Sequence, residues 1–356
     1  MLVHDYLLVL RGAERTFAEM AACWPDAPIA TLLYDAEGVG GRFDGREVRT
    51  SRLQRLGVSQ KGFRVLLPLL PAAAERLPVR DARLVVSSSS AFAHGVRPTQ
   101  GVPHVCYCYT PFRYAWYELG RALAEVPRSA RPLLRAMLMR IRRWDLEASR
   151  RVTAYIAISQ LSRQRIADAW GRDAAVVHPP VEVGRFHPGT PEDFFLVVGE
   201  VVRHKRTEVA LEAARRAGRP VVVAGSGPEV ERLRAQYPQA RFLGRVSDEQ
   251  LADLYARARA VVLPNVEEFG IVAVEAQAAG RPVLGVAAGG ALETVRDGET
   301  GVLVPDAGVE PLAEAMRDVD FDAFSPQAAV ASARRFTPER FRAALREAVE
   351  AAVRTA

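Results

Sequence analysis

From Asp193 onward the sequence alternates short apolar, β-rich runs with helical stretches: FFLVVG, TEVALEAARRAG, RPVVVAG, PEVERLRAQY, ARFLG, SDEQLADLYARA, RAVVLP, GIVAVEAQAAG and RPVLGV. The runs are apolar at nearly every position, as burial on both faces demands of a strand. Strands separated by helices of this length pair in parallel through right-handed crossovers, so the pattern predicts an α/β, doubly wound, Rossmann-like domain. The front half carries the same ingredients more loosely. MLVHDYL, APIATLLY, ARLVVSSSS, VPHVCYCYT and AYIAIS read as strands, and AERTFAEMAACW and QLSRQRIADAWG as helices. Between the halves, VVHPPVEVGRFHPGTPED holds four prolines and little periodicity, which reads as a hinge. The predicted organisation is a front domain over residues 1–180, a hinge over 181–193, a rear domain over 194–337 and a last amphipathic helix over 338–356 that returns towards the front domain. Two such domains would face one another across a cleft between the carboxyl ends of their strands, where ligands of doubly wound sheets bind.

The length of 356 residues suits two cores rather than one. No apolar run reaches the ~20 residues that span a bilayer, and the amino terminus has no basic, apolar and small-residue succession of a leader, so a cytoplasmic protein is expected. Cys23, Cys106 and Cys108 have no spacing suited to zinc or a disulfide framework and read as small core residues. The net charge of +6 is unevenly spread. Residues 1–178 hold 26 Lys and Arg against 16 Asp and Glu, while the remainder holds 22 against 26. A basic front half suits a phosphate-bearing ligand, an anionic membrane surface or nucleic acid. No nucleic-acid recognition motif accompanies it, so no nucleic-acid partner is expected.

Within RSARPLLRAMLMRIRRWDLEA, Arg128, Arg131, Arg135 and Arg142 fall on one helical stripe, and Leu134, Met137, Leu138, Ile141 and Trp144 share an apolar arc. The segment 128–144 is compatible with docking on anionic lipid as a peripheral membrane contact, and equally with a core-facing helix whose basic side is solvated.

Two carboxylates, Glu267 and Glu275, stand eight positions apart around Phe269 and Gly270, where a strand passes into a helix. The free amides of a helix start near Gly270 would form an anion site, and the two glutamates, some 12 Å apart if helical, would accept hydroxyls at both ends of a nucleotide sugar. They are also compatible with solvated charges on an α/β loop. GSGPEV, residues 225–230, is an incomplete dinucleotide fingerprint and reads as a tight turn into a helix. His4 and Asp5 lie at the carboxyl end of the first strand, on the side of the expected cleft.

PNVEEFGIVAVEAQAAGRPVLG resembles the retaining glycosyltransferases of family 4, where two glutamates with seven residues between them bracket Phe-Gly. GSGPEVERL and LGRVSDEQLADLYARA before it and GGALETVRDGETGVLV after it come in the family's order, and VHDYLLVLRGAERTFAEM, YTPFRYAWYE and RRWDLEASRRVTAYIAISQLSRQRI extend the resemblance over almost the whole chain. The front segments look most like bacterial mannosyltransferases of lipopolysaccharide and exopolysaccharide assembly. The resemblance implies a GT-B fold with the acceptor in the front domain and the donor in the rear one.

It also implies roles. Glu267 matches the glutamate at the transferred sugar, Glu275 the one at the ribose, and Phe269, Gly270 and Ile271 the segment at the diphosphate. Lys205 matches the phosphate-binding lysine, and its charge would stabilise the leaving diphosphate. Gly12 matches the amino-terminal glycine loop, and Val246 would lie beside the base. Three positions depart from the pattern. Glu200 stands where an arginine is common, with Arg203 as the nearby replacement; Arg11 precedes Gly12 where a second glycine is common; and Tyr109 stands where a histidine beside the sugar is common. Tyr109 joins Glu267 and Lys205 as a catalytic candidate, or else ends a strand as a core aromatic. Arg113, Tyr114 and Trp116 form a cluster able to grip an acceptor by phosphate binding and stacking, or to pack plainly. The implied reaction moves a hexosyl group, foremost mannosyl from GDP-mannose, to a hydroxyl of a saccharide or lipid-linked acceptor, with no metal and no cofactor beyond the donor. A nucleotide-sugar epimerase and a non-catalytic saccharide-binding or partner subunit share the architecture and remain alternatives.

Overall fold

A computed structural model of the chain describes residues 1–57 and 62–355. Its front sheet is built from β1 (Leu2–His4), β2 (Ile29–Thr31), β3 (Val48–Thr50), β4 (Val85–Ser89), β5 (His104–Cys108), β6 (Ala154–Ala157) and β7 (Ala174–Val176), in the order β3-β2-β1-β4-β5-β6-β7. Its rear sheet is built from β8 (Phe195–Val198), β9 (Val221–Ala224), β10 (Arg241–Gly244), β11 (Ala260–Leu263), β12 (Val283–Val286) and β13 (Gly301–Val304), in the order β10-β9-β8-β11-β12-β13. Every pairing between these strands is parallel. The strands read from the sequence are present. Those it did not announce, β3, β7 and β13, are outer strands of their sheets, each only three or four residues long.

Two compact units result, one of Met1–His178 with the chain from Phe341 onward, the other of Pro179–Arg340. Each has its own core. In the rear unit Phe195, Val197, Val223, Val262 and Leu284 of the strands meet Leu211, Leu312 and Met316 of the covering helices. In the front unit the alternation of β5 divides its side chains. Cys106 and Cys108 enter one cluster with Tyr155 and Trp170, while Tyr107 on the other face stands edge-on to Phe341 at 5.6 Å. All three cysteines are buried and unpaired. The last helix, Pro338–Arg354, is fastened within the front unit by that ring contact, by an Arg342–Glu19 ion pair and by Arg346 donating to the Cys23 carbonyl at 3.0 Å.

The proline-rich stretch read as a hinge packs onto the rear unit. Val181 donates its amide to the Phe336 carbonyl at 2.8 Å, and Phe186 is buried with its ring edge-on to Tyr255 at 5.4 Å. The basic segment forms a short 3-10 turn, Arg128–Ala130, and then the helix Arg131–Ser149. Leu138 and Ile141 are buried in the front core and Leu134, Met137 and Trp144 pack against it, so the apolar arc faces protein. Outward lie Arg128, Arg135, Arg140, Arg142 and Arg143, together with Leu133, which is 77% exposed. No helix among the described residues is long and apolar enough to cross a membrane.

Candidate active site

In the rear sheet the strand order reverses between β8 and β11, and the carboxyl ends of two neighbouring strands at such a reversal form a crevice for ligands. Lys205 comes from the loop after β8 and Glu267 from the loop after β11. The structure joins them: Lys205 Nζ donates to Glu267 Oε1 at 2.6 Å and to Oε2 at 2.9 Å. Asn265 Nδ2 adds a third donor to Oε1 at 2.9 Å. The pair is within reach of solvent, with 34% of the Lys205 side chain and 20% of that of Glu267 exposed. Lys205 ends a 3-10 turn, and the next residue, Arg206, takes a left-handed φ of 54°, which no other non-glycine among the described residues adopts. Such backbone costs roughly 1–3 kcal/mol and persists where surrounding structure holds it.

The loop after β11 closes on Gly270, whose φ of 88° is left-handed, and the helix Ile271–Ala278 starts there with no side chain capping its first amides. The free amides of an uncapped helix start are suited to phosphate. A second loop braces it. Gly290 donates its amide to the Glu267 carbonyl at 2.8 Å, and a Cβ at Gly290 would stand 2.2 Å from the Phe269 carbonyl oxygen, so only glycine permits that approach. Phe269 itself turns inward, buried against Phe336 at a ring separation of 5.2 Å. Only its backbone borders the crevice.

Glu275 lies one turn into this helix and accepts a hydrogen bond from the Tyr255 hydroxyl at 2.8 Å. Burial and that carboxylate hold the Tyr255 phenol well above its usual range, so it stays a donor. The spacing of the two glutamates needs correction as a ruler. Glu267 precedes the helix, so only the part from Ile271 to Glu275 rises at ~1.5 Å per residue, and the loop decides the rest. Ile271 is the first helical residue, and Val246 lies in the loop between β10 and the helix Asp248–Arg257. Arg203 extends elsewhere: its side chain is 85% exposed and pairs with Glu229 at 3.3 Å. Glu200 lies exposed in the loop after β8. GSGPEV forms the turn after β9, where Val201 donates to the Ser226 carbonyl at 3.0 Å, and carries no nucleotide fingerprint geometry of its own.

The front sheet reverses between β1 and β4, and the serine run 87–90 supplies its polar fittings. Ser87 pairs with His104 at 2.8 Å, Ser88 with His4 at 3.0 Å, and Ser89 with His94 at 3.4 Å. Asp5, read as facing the cleft, is a structural anchor: its carboxylate accepts the amides of Ser90, Ala91, Phe92 and Ala93 and the Ser90 hydroxyl, at 2.6–3.0 Å. Gly12 opens the helix Gly12–Cys23 after β1, with Arg11 preceding it as the cap residue. Tyr109 reaches the same turn, but its hydroxyl donates to the Ala13 carbonyl at 3.0 Å and accepts from Ser88 at 3.2 Å. That proton is committed to the fold, so Tyr109 braces the Gly12 turn instead of serving as a catalytic donor.

The acceptor cluster is likewise divided. Trp116 donates its indole N–H to Asp145 Oδ2 at 2.7 Å, and the Arg142 guanidinium covers its ring at 4.1 Å. Trp116 is therefore a packing residue. Trp170 donates to the same oxygen at 2.7 Å, and His94 Nε2 lies 3.3 Å from Oδ1. Burial pushes the Asp145 carboxyl up, with His94 and the two indoles opposing it. Arg113 and Tyr114 are half-buried on the same short helix, Arg113–Trp116, with Tyr114 edge-on to Phe112 at 5.7 Å. Asn265, Tyr255, Gly290 and Asp145 escaped the sequence reading. Tyr255 and Asp145 sit at core-facing positions of helices, where periodicity reports burial and not a polar partner.

Residues 10–185 match the model of Glycosyltransferase Family 4, and residues 185–335 that of Glycosyl transferases group 1. The chain belongs to the group 1/family 4 glycosyltransferases. It is 39% identical over 181 residues to a D-inositol 3-phosphate glycosyltransferase of Streptomyces scabiei, covering 41% of this chain and 40% of that protein. A protein of the same name from Nocardioides is 33% identical over 251 residues, covering 54% of this chain and 55% of its own. The matches thus span about half the length of these relatives or less. Among solved structures, Anabaena HepE in complex with UDP-glucose superposes with a TM-score of 0.69 at 17% identity, covering 98% of this chain and 99% of that one. Sucrose-phosphate synthase from Thermosynechococcus elongatus gives 0.71 at 16%, covering both chains fully at 100%. At these identities the likeness is one of fold, and that fold is GT-B.

Proposed function

We propose that this family member transfers a hexosyl group from a nucleoside diphosphate sugar to a hydroxyl of a saccharide or lipid-linked acceptor, retaining the donor's anomeric configuration. The observation that carries the reading is the meeting of Lys205 and Glu267 at the strand-order reversal of the rear sheet, beside an uncapped helix start. The diphosphate would lie on the amides from Gly270 and Ile271, with Lys205 and those amides taking up the negative charge that develops as the glycosidic bond breaks. Glu267 would accept hydroxyls of the transferred sugar, and Glu275, held by Tyr255, those of the ribose. The acceptor hydroxyl would attack from the face the diphosphate leaves, passing its proton to the departing phosphate. No separate base and no metal enter this scheme. Val246 belongs to the surroundings of the base. Arg113 and Tyr114 remain with the acceptor.

For the donor, front segments resembling mannosyltransferases favour GDP-mannose. HepE bound to UDP-glucose supports a uridine donor as a second reading, and the relatives' name supports a phosphorylated inositol as a second acceptor. Peripheral contact with an anionic membrane would rest on the outward arginines of 128–143 and Leu133, since the apolar arc is committed to the core. A thermal-shift screen against GDP-, UDP-, ADP- and dTDP-sugars selects the donor, because a ligand specific to the folded state raises its apparent stability. With the selected donor, Glu275→Ala weakens binding, whereas Glu267→Ala chiefly slows transfer. Undiminished binding and transfer in both variants would sink the assignment.

A further inference from the structure

We infer that Glu267 acts as a charge gate on Lys205, making the rear site prefer a sugar-bearing nucleotide over the bare nucleoside diphosphate. The inference rests on the donor-site reading proposed above. Two hydrogen bonds from Lys205 go to the two oxygens of one carboxylate, which Asn265 holds from its own loop. The two charges cancel at a distance, so the corner offers an approaching diphosphate much less attraction than an unpaired lysine would.

To bind phosphate through its full charge, Lys205 must leave Glu267. A bare nucleoside diphosphate gives nothing back: the carboxylate keeps Asn265 as donor but loses its cation, and it then stands near another anion. A nucleotide sugar brings hydroxyls that donate to the vacated oxygens, so the same exchange is balanced. After transfer the sugar hydroxyls depart, Glu267 recovers Lys205, and the nucleoside diphosphate is weakened at the moment it must be released. The pair bridges loops of two adjacent strands, so this exchange is available without rearranging either strand.

The test is calorimetric titration of the full chain with UDP, GDP and their sugar nucleotides. Wild type binds the sugar nucleotide of its base more tightly than the diphosphate. In Glu267→Gln, isosteric and uncharged, the diphosphate binds more tightly by about two- to fivefold, the range for a partly exposed ion pair, and the preference for the sugar nucleotide shrinks. Glu267→Asp, which keeps the charge, retains the wild-type preference. In a Lys205→Ala background, Glu267→Gln produces no gain. Unchanged or weaker diphosphate binding in Glu267→Gln overturns the gate, as does an equal gain without Lys205, which would reflect general loss of negative charge. Wild type binding none of these nucleotides would instead refute the donor-site reading itself.

Discussion

Acid should destabilise the front unit through one residue. His104 is buried at the start of β5, with Nε2 on the Ser87 hydroxyl at 2.8 Å and Nδ1 without a partner among the described residues. Burial pushes its imidazole down from 6.5 to about 3, with smaller contributions from His94 and Arg151. A base depressed on folding is neutral in both states above pH 6.5. Below that the unfolded chain takes a proton that the folded chain refuses, so stability falls with pH until about 3. The slope is about 1.4 kcal/mol per pH unit, giving a loss of roughly 3 kcal/mol at pH 4.5 and up to about 5 kcal/mol at the end of the window. Domain stabilities of ~5–15 kcal/mol make that decisive. The assay is convenient, because Trp24, Trp116, Trp144 and Trp170 all lie in the front unit, so tryptophan fluorescence in urea reports that unit alone. Wild type and His104→Gln are compared at pH 7.5 and 4.5, which cancels the titration of Asp145 and other shared groups. The stability advantage of wild type over the variant should shrink by roughly 3 kcal/mol between the two pH values. A difference that stays constant would refute a buried neutral His104.

Tyr255→Phe removes the donor to Glu275. It should weaken nucleotide-sugar binding about three- to tenfold, with no added effect in Glu275→Ala, and titration calorimetry of the four proteins checks that coupling. Asp145→Ala leaves Trp116 and Trp170 without their shared acceptor and His94 without the carboxylate beside it, and should lower the front unit's stability by about 3 kcal/mol or more, read from the same tryptophan signal. Neutralising Arg135, Arg140, Arg142 and Arg143 should abolish flotation with anionic vesicles, and unchanged flotation would remove the membrane proposal.

The sequence announced the fold because both sheets are parallel and covered on two faces, so interior strands such as β8 and β11 are continuous apolar runs. The outer strands β3, β7 and β13 were silent, whereas β10, also at an edge, was read from ARFLG. At the site, Glu267, Gly270, Glu275 and Lys205 were legible as a motif, yet their pairing was not. Nothing in the spacing of 62 residues between Lys205 and Glu267 implies a hydrogen bond, which arises only when β8 and β11 become neighbours. At Tyr109 and Trp116 the sequence left a packing role open beside the functional one, and at Asp5 position alone pointed to the cleft; a polar group there serves the fold as readily as a ligand. Each of the three donates to or accepts from a partner that the sequence could not name.

The central claim is that a nucleotide sugar is held at the reversal of the rear sheet. Hydrogen–deuterium exchange of the full chain, with and without the donor selected by thermal shift, tests it most directly. Slowed exchange in peptides covering 203–207 and 265–278, around Lys205, Glu267 and Gly270, is the expected result. Unchanged exchange in both segments at saturating donor would contradict the account.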